Sequence, residues 1–109
     1  MNLNKTVKSY EDLYSSEFQE KLNNNPNSIV LDVRTPDEFQ SGKLPEAVNI
    51  NIMDHNFLNN ISELDRNKTY FVYCRSGARS GQACAVMASQ GYEVINLAGG
   101  IINWNGEVC

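Results

Sequence analysis

This 109-residue chain has little with which to build a metal site or a paired base. It has one histidine, His55, and three cysteines, Cys74, Cys84 and Cys109. No two cysteines show zinc-ligand spacing, and an odd number of thiols cannot all be paired. A lone imidazole excludes any site that needs two. Long apolar runs are also missing: a spanning helix needs about 20 apolar residues in succession, and no run approaches that. The opening stretch MNLNKTVKSY carries lysine but no apolar segment behind it. A secretory leader is therefore not expected, and the expected location is cytoplasmic. Basic charge is in deficit, with 9 Lys+Arg against 13 Asp+Glu and a net charge of −4. That balance argues against nucleic acid or an anionic membrane as the main partner. The rest is ordinary: 41% hydrophobic and 20% charged residues are a globular composition, and the length suits one domain over residues 1–109. The expected chemistry is thiol chemistry in a reducing compartment.

The few cations are unevenly spread. From Arg66 to Tyr92 the chain holds Arg66, Lys68, Arg75 and Arg79 and no acid, while the remainder carries −8. One cationic segment in an acidic protein suggests a local site for a small anion. Cys74 lies inside that segment.

Strand and helix signals alternate. Ser16-Glu17-Phe18-Gln19 fits a capping box opening a helix that runs to about Leu22. Asn23 to Asn27 is a loop by composition. Ser28 to Val33 is a β-branched run that predicts a strand buried on both faces. Thr35-Pro36-Asp37-Glu38 is a strong helix start, with Thr35 as cap, Pro36 in the first turn and Glu38 closing the box. That helix is expected to end near Ser41-Gly42. Ala47 to Ile50 predicts a short strand, Asp54 to Leu64 one or two short helices, and Tyr70 to Tyr73 another strand. Gly81 to Gln90 reads as a helix of small apolar residues, buried nearly all round and stopped by Gly91. Glu93 to Leu97 predicts a last strand, and Ile101 to Trp104 a short terminal helix. Alternation of this kind implies a mostly parallel sheet covered on both faces. Ligands of such sheets bind beyond the carboxyl ends of the strands, and Cys74 sits at one such end.

The segment Cys74-Arg75-Ser76-Gly77-Ala78-Arg79-Ser80 joins a strand to a helix within a few residues. Gly77, with small Ser76 and Ala78 beside it, allows a tight curl that aims successive N–H groups at one point. The helix that follows adds its unpaired N–H groups and positive dipole end. A thiol at the rim of such a cup, near Arg75 and Arg79, is expected to ionise near neutral pH without a general base. Ser76 and Ser80 offer hydroxyl donors, and the two arginines offer bidentate contacts to an anion. Elsewhere, Asp32, Arg34 and Glu38 are read as braces for the sheet end and first loop. Cys84 is read as core, Cys109 as a mobile terminal bystander, His55 as a surface residue and Trp104 as a packing anchor.

Three blocks of this sequence resemble the single-domain rhodaneses, a family of sulfurtransferases. Leu31-Asp32-Val33-Arg34-Thr35-Pro36-Asp37-Glu38-Phe39 with Gly42-Lys43-Leu44-Pro45-Glu46-Ala47-Val48-Asn49-Ile50 is similar to the family's amino-terminal signature. Cys74 to Ser80 is similar to its active-site loop, and Gly91 to Ile101 with Trp104 to its carboxy-terminal signature. Lys43 stands where a His is usual, and Glu46 where a Gly is usual. The resemblance implies an α/β fold of rhodanese type, a five-stranded, mostly parallel sheet flanked by helices on both faces. It implies Cys74 as nucleophile, forming a persulfide with sulfur from a donor such as thiosulfate and yielding it to cyanide or a thiol, including a protein partner. No cofactor or metal is implied. The residues around the sulfur would be Arg75, Ser76, Gly77, Ala78, Arg79 and Ser80.

Rival readings are distinguishable. Cell-cycle phosphatases of the dual-specificity type share this fold but place an Arg six residues after the Cys; here that position is Ser80, and Arg79 is five after. The shorter loop makes a cup sized for one sulfur and tight for phosphate or arsenate. A non-catalytic binding module is expected to lack the nucleophile. A redox sensor would need Cys84 or Cys109 within reach of Cys74.

Overall fold

The computed structural model describes residues 9–109; the leader expectation falls largely on residues 1–8, outside the described part. Five strands form one sheet: β1 Glu11–Leu13, β2 Ser28–Asp32, β3 Val48–Asn49, β4 Thr69–Tyr73 and β5 Glu93–Leu97. Their order is β1-β5-β4-β2-β3, and every pairing is parallel. The helices are α1 Ser15–Asn23, α2 Pro36–Ser41, α3 Phe57–Ser62 and α4 Ala78–Ser89, followed by a 3-10 turn at Ile101–Asn103.

All five residues of β4 are buried, as a central strand of a two-faced sheet requires. Its alternation divides the core. Tyr70, Val72 and Cys74 point to one side with Leu31, Phe57 and Ile61 of α3, and Ala83, Cys84 and Met87 of α4. Phe71 and Tyr73 point to the other with Phe18 of α1, Ile95, Leu97 and Leu44. Trp104 anchors that second side edge-on to Phe18, ring centres 5.8 Å apart.

The chain leaves β2 through α2 toward β3 and leaves β4 through α4 toward β5, so the two connections diverge. Between the carboxyl ends of β2 and β4 lies the topological switch point, where open parallel sheets hold their ligands. The α2 start forms as read: Thr35 Oγ1 accepts from Glu38 N, Glu38 accepts from Thr35 N, and Pro36 opens the helix.

Several expectations are corrected. No side chain caps α1; its N-cap is Tyr14, and Ser15 Oγ instead accepts from the Asn105 amide at 2.8 Å. Strand β1 carries two acidic residues in three, so no apolar run announced it. Helix α4 begins at Ala78 rather than Gly81 and buries one face through Ser80, Ala83, Cys84 and Met87, while Gln82, Ala85 and Ser89 are exposed. Small side chains made an amphipathic helix look uniformly apolar. The carboxyl end is tethered, since Cys109 and Lys43 exchange backbone hydrogen bonds in both directions, 2.7 and 3.3 Å.

Candidate active site

Cys74 follows β4 directly and is 1% exposed. It lies on the floor of the cup, not at its rim. Gly77 adopts φ +106°, which glycine reaches without steric penalty, and caps α4. Its N–H donates to Cys74 Sγ at 3.1 Å. Ser80 donates to the same sulfur twice, from its N–H and from its hydroxyl, each at 3.3 Å. Burial pushes the thiol up, yet the Ser80 hydroxyl and the amides of Ser80, Gly77 and Ser76 outweigh it and hold Cys74 below its ordinary value. Hydrogen-bond donors that favour the charged form, more than neighbouring guanidinium groups, account for the lowering.

Arg79, expected as an anion ligand, is already paired with an acid. Its guanidinium forms a two-pronged pair with Glu38, Nη1–Oε1 2.8 Å and Nη2–Oε2 2.9 Å. The Arg79 contact holds the Glu38 carboxyl down at about 2. Glu38 therefore braces the Cys74–Ser80 loop as well as the first loop. Asp32 and Arg34 form the expected brace, buried at the end of β2 and joined at 2.7 Å. Asp32 Oδ1 also accepts from Arg34 N, and Arg34 Nη2 reaches the Gly42 carbonyl. Arg75, Ser76 and Ala78 are exposed around the cup.

The second layer was missed by sequence reasoning. Asn96 of β5 donates through Nδ2 to Asp12 at 2.9 Å and to the Gly77 carbonyl at 3.4 Å. The signal was a polar residue within the buried, otherwise apolar part of the strand, Val94 to Leu97. Ile101 and Ile102 donate their amides to the carbonyls of Cys74 and Arg75. That close approach requires Gly100, where a Cβ would lie 2.0 Å from the Arg75 carbonyl oxygen.

Other candidates fall where the sequence put them. Cys84 is fully buried in the core, and burial drives its thiol upward. His55 is exposed. All three cysteines are free. Among the described residues no group of three or more His, Cys, Asp or Glu is placed to hold a metal ion. No described helix is long and apolar enough to cross a membrane. A groove of about 570 Å³ between α1, β2 and residues 44–48, bounded by Trp104, includes no residue of the Cys74–Ser80 loop.

The rhodanese-like domain family model matches residues 15–107. The chain belongs to the rhodanese-like family. It is 40% identical over 91 residues to a sulfurtransferase of Allochromatium vinosum, covering 83% of each chain. It is 32% identical to the putative sulfurtransferase YtwF of Bacillus subtilis, covering 89% of this chain and 92% of the relative. The crystal structure of a rhodanese-related protein from Thermoplasma volcanium superposes with a TM-score of 0.81 at 28% identity, covering 92% of this chain and 98% of the other. The five-stranded parallel sheet is thus the sheet of this family, and a rhodanese-type sulfurtransferase is the enzyme class its relatives support. Ser80, six residues after Cys74, is fully buried and donates its hydroxyl to the sulfur.

Proposed function

We propose that this rhodanese-like chain, acting as one domain over residues 1–109, moves sulfane sulfur through a persulfide on Cys74. One observation carries the reading: three donors from Gly77 and Ser80 converge on a single buried sulfur. The Cys74 thiolate attacks the outer sulfur of a donor such as thiosulfate. A new S–S bond forms, the donor's S–S bond breaks, and sulfite leaves with the electron pair. The terminal sulfur of the persulfide carries negative charge and meets the same cup of N–H and O–H donors. Cyanide or a thiolate, free or on a protein, then attacks that terminal sulfur, and Cys74 leaves as the thiolate it began as. Neither step needs a general base. A reducing compartment such as the cytoplasm suits the three free thiols.

Ser80 in place of a guanidinium disfavours phosphoryl transfer, which needs charge stabilisation around three equatorial oxygens. Retention of Cys74 disfavours a purely binding role. Intact-mass and peptide mapping after exposure to thiosulfate test the reading. Cys74 is expected to gain one sulfur and lose it on addition of cyanide. Sulfur appearing on Cys84 or Cys109, or activity surviving Cys74→Ser, overturns the assignment.

A further inference from the structure

Two helix starts meet across the crevice between β2 and β4, and one carboxylate joins them. Glu38, in the first turn of α2, accepts from Thr35 N and Thr35 Oγ1, each at 3.1 Å. The same carboxylate takes both terminal nitrogens of Arg79 from the first turn of α4. Arg79 immediately precedes Ser80, whose N–H and hydroxyl hold the sulfur. A full positive charge therefore stands one residue from the cup, but it is matched by a full negative charge and fixed in a fork geometry. Arg75 is exposed and forms no ion pair among the described residues. Of the two arginines in the Cys74–Ser80 segment, Arg79 is therefore matched and fixed beside the cup, while Arg75 stands exposed to solvent.

We propose that Glu38 is a positioning residue that sets the charge selectivity of the Cys74 site. By holding Arg79 it disfavours small dianions such as thiosulfate and favours donors of lower charge, namely organic persulfides. This inference rests on the sulfur-transfer reading for the identity of the donor, but not for the charge effect itself. With an organic persulfide the Cys74 thiolate attacks the outer sulfur, the donor's S–S bond breaks, and the organic thiolate leaves with the electron pair. No oxidant or reductant enters.

Glu38→Gln is the informative change. Gln can still close a capping box with Thr35, so α2 keeps its start while the charge on Arg79 loses its match. The test compares alkylation of Cys74 by anionic iodoacetate with that by neutral iodoacetamide, as a ratio of rates. One unmatched charge several ångströms away at a partly exposed site shifts such a ratio by on the order of five-fold. The ratio is expected to rise by that much in E38Q, to fall comparably in R79Q, where Glu38 is left unmatched, and to return near the wild-type value in E38Q/R79Q. A merely structural role for Glu38 would not be reversed by the second substitution. In sulfur-uptake assays E38Q is expected to lower KM for thiosulfate relative to KM for an organic persulfide. An unchanged ratio in both single variants, or a ratio still raised in the double variant, overturns the inference. If the ratios shift as expected while Cys74 takes sulfur from neither donor, the charge selectivity stands and the sulfur-transfer reading falls. Should E38Q alone not fold, E38Q/R79Q compared with R79Q decides: the ratio is expected to recover in the double variant, and a ratio that stays as low as in R79Q overturns the inference.

Discussion

Ser80 holds Cys74 with two of its own groups, its hydroxyl and its N–H both lying 3.3 Å from Sγ. The hydroxyl is the stronger lever, because it is the one donor in the cup that a side-chain substitution removes without touching the backbone. Ser80→Ala is expected to raise the Cys74 pKa and slow its alkylation at neutral pH by on the order of ten-fold or more, since a hydrogen bond to a charged group contributes about 1.5–3 kcal/mol. Rate against pH, measured with a neutral alkylating agent, checks this. Equal profiles for wild type and variant would show that the amides alone hold the thiolate.

The buried pair at the end of β2 makes a second expectation. Asp32 is fully buried and takes the Arg34 backbone N–H as well as its guanidinium. Arg34→Met keeps much of the side chain's length but leaves a carboxylate buried without its counter-charge. Breaking one partner of such a pair costs about 3–5 kcal/mol. Urea unfolding should show a loss of that size at unchanged slope. A loss below about 1 kcal/mol would mean that the pair contributes no more than an exposed one.

How far the sequence disclosed these features depended on whether the signal was local. The α2 start was legible because Thr35, Pro36 and Glu38 lie within four residues and their bonds close within one turn. Cys74 was legible because strand, glycine turn and helix follow one another. The Glu38 to Arg79 pair was not, since it spans 41 residues and depends on how far apart two helix starts come to rest. Asn96 acts on Gly77 only because β5 lies beside β4. Strand β1 is short and acidic and pairs with β5 at the sheet edge, where alternation carries little information. Cys109 read as a free end because its bonds to Lys43 are backbone ones, which no side-chain pattern encodes.

Glu46 occupies a left-handed conformation, φ +62°, and is the one described non-glycine residue at positive φ. It is also the position where the family pattern carries glycine. A side chain with a Cβ is disfavoured there by roughly 1 kcal/mol, whereas glycine is not. Glu46→Gly should therefore raise stability by up to about 1 kcal/mol, the gain reduced by the greater freedom glycine gives the unfolded chain. A thermal melt compared with wild type checks this. Marked destabilisation would show that the Glu46 side chain makes a contact worth more than the strain.

Ionisation of Cys74 should also appear in folding stability. The folded thiol lies below its ordinary value of 9.0, so the native state releases this proton at lower pH than the unfolded chain does. Over the interval between the two values the unfolded state binds more protons, and stability rises with pH. The contribution is complete above about 9, the unfolded value, and is lost as pH falls through the lowered folded one. Its slope cannot exceed one proton, about 1.4 kcal/mol per pH unit. Cys84 and Tyr73 are both pushed upward, by burial first, and act in the opposite sense at alkaline pH. Subtracting the stability of Cys74→Ala from that of wild type at each pH largely cancels them. The difference should climb between the folded value and about pH 9, then level off. A difference that is flat, or that falls with pH, would show that burial outweighs the Ser80 and Gly77 donors and that the resting site holds a thiol rather than a thiolate.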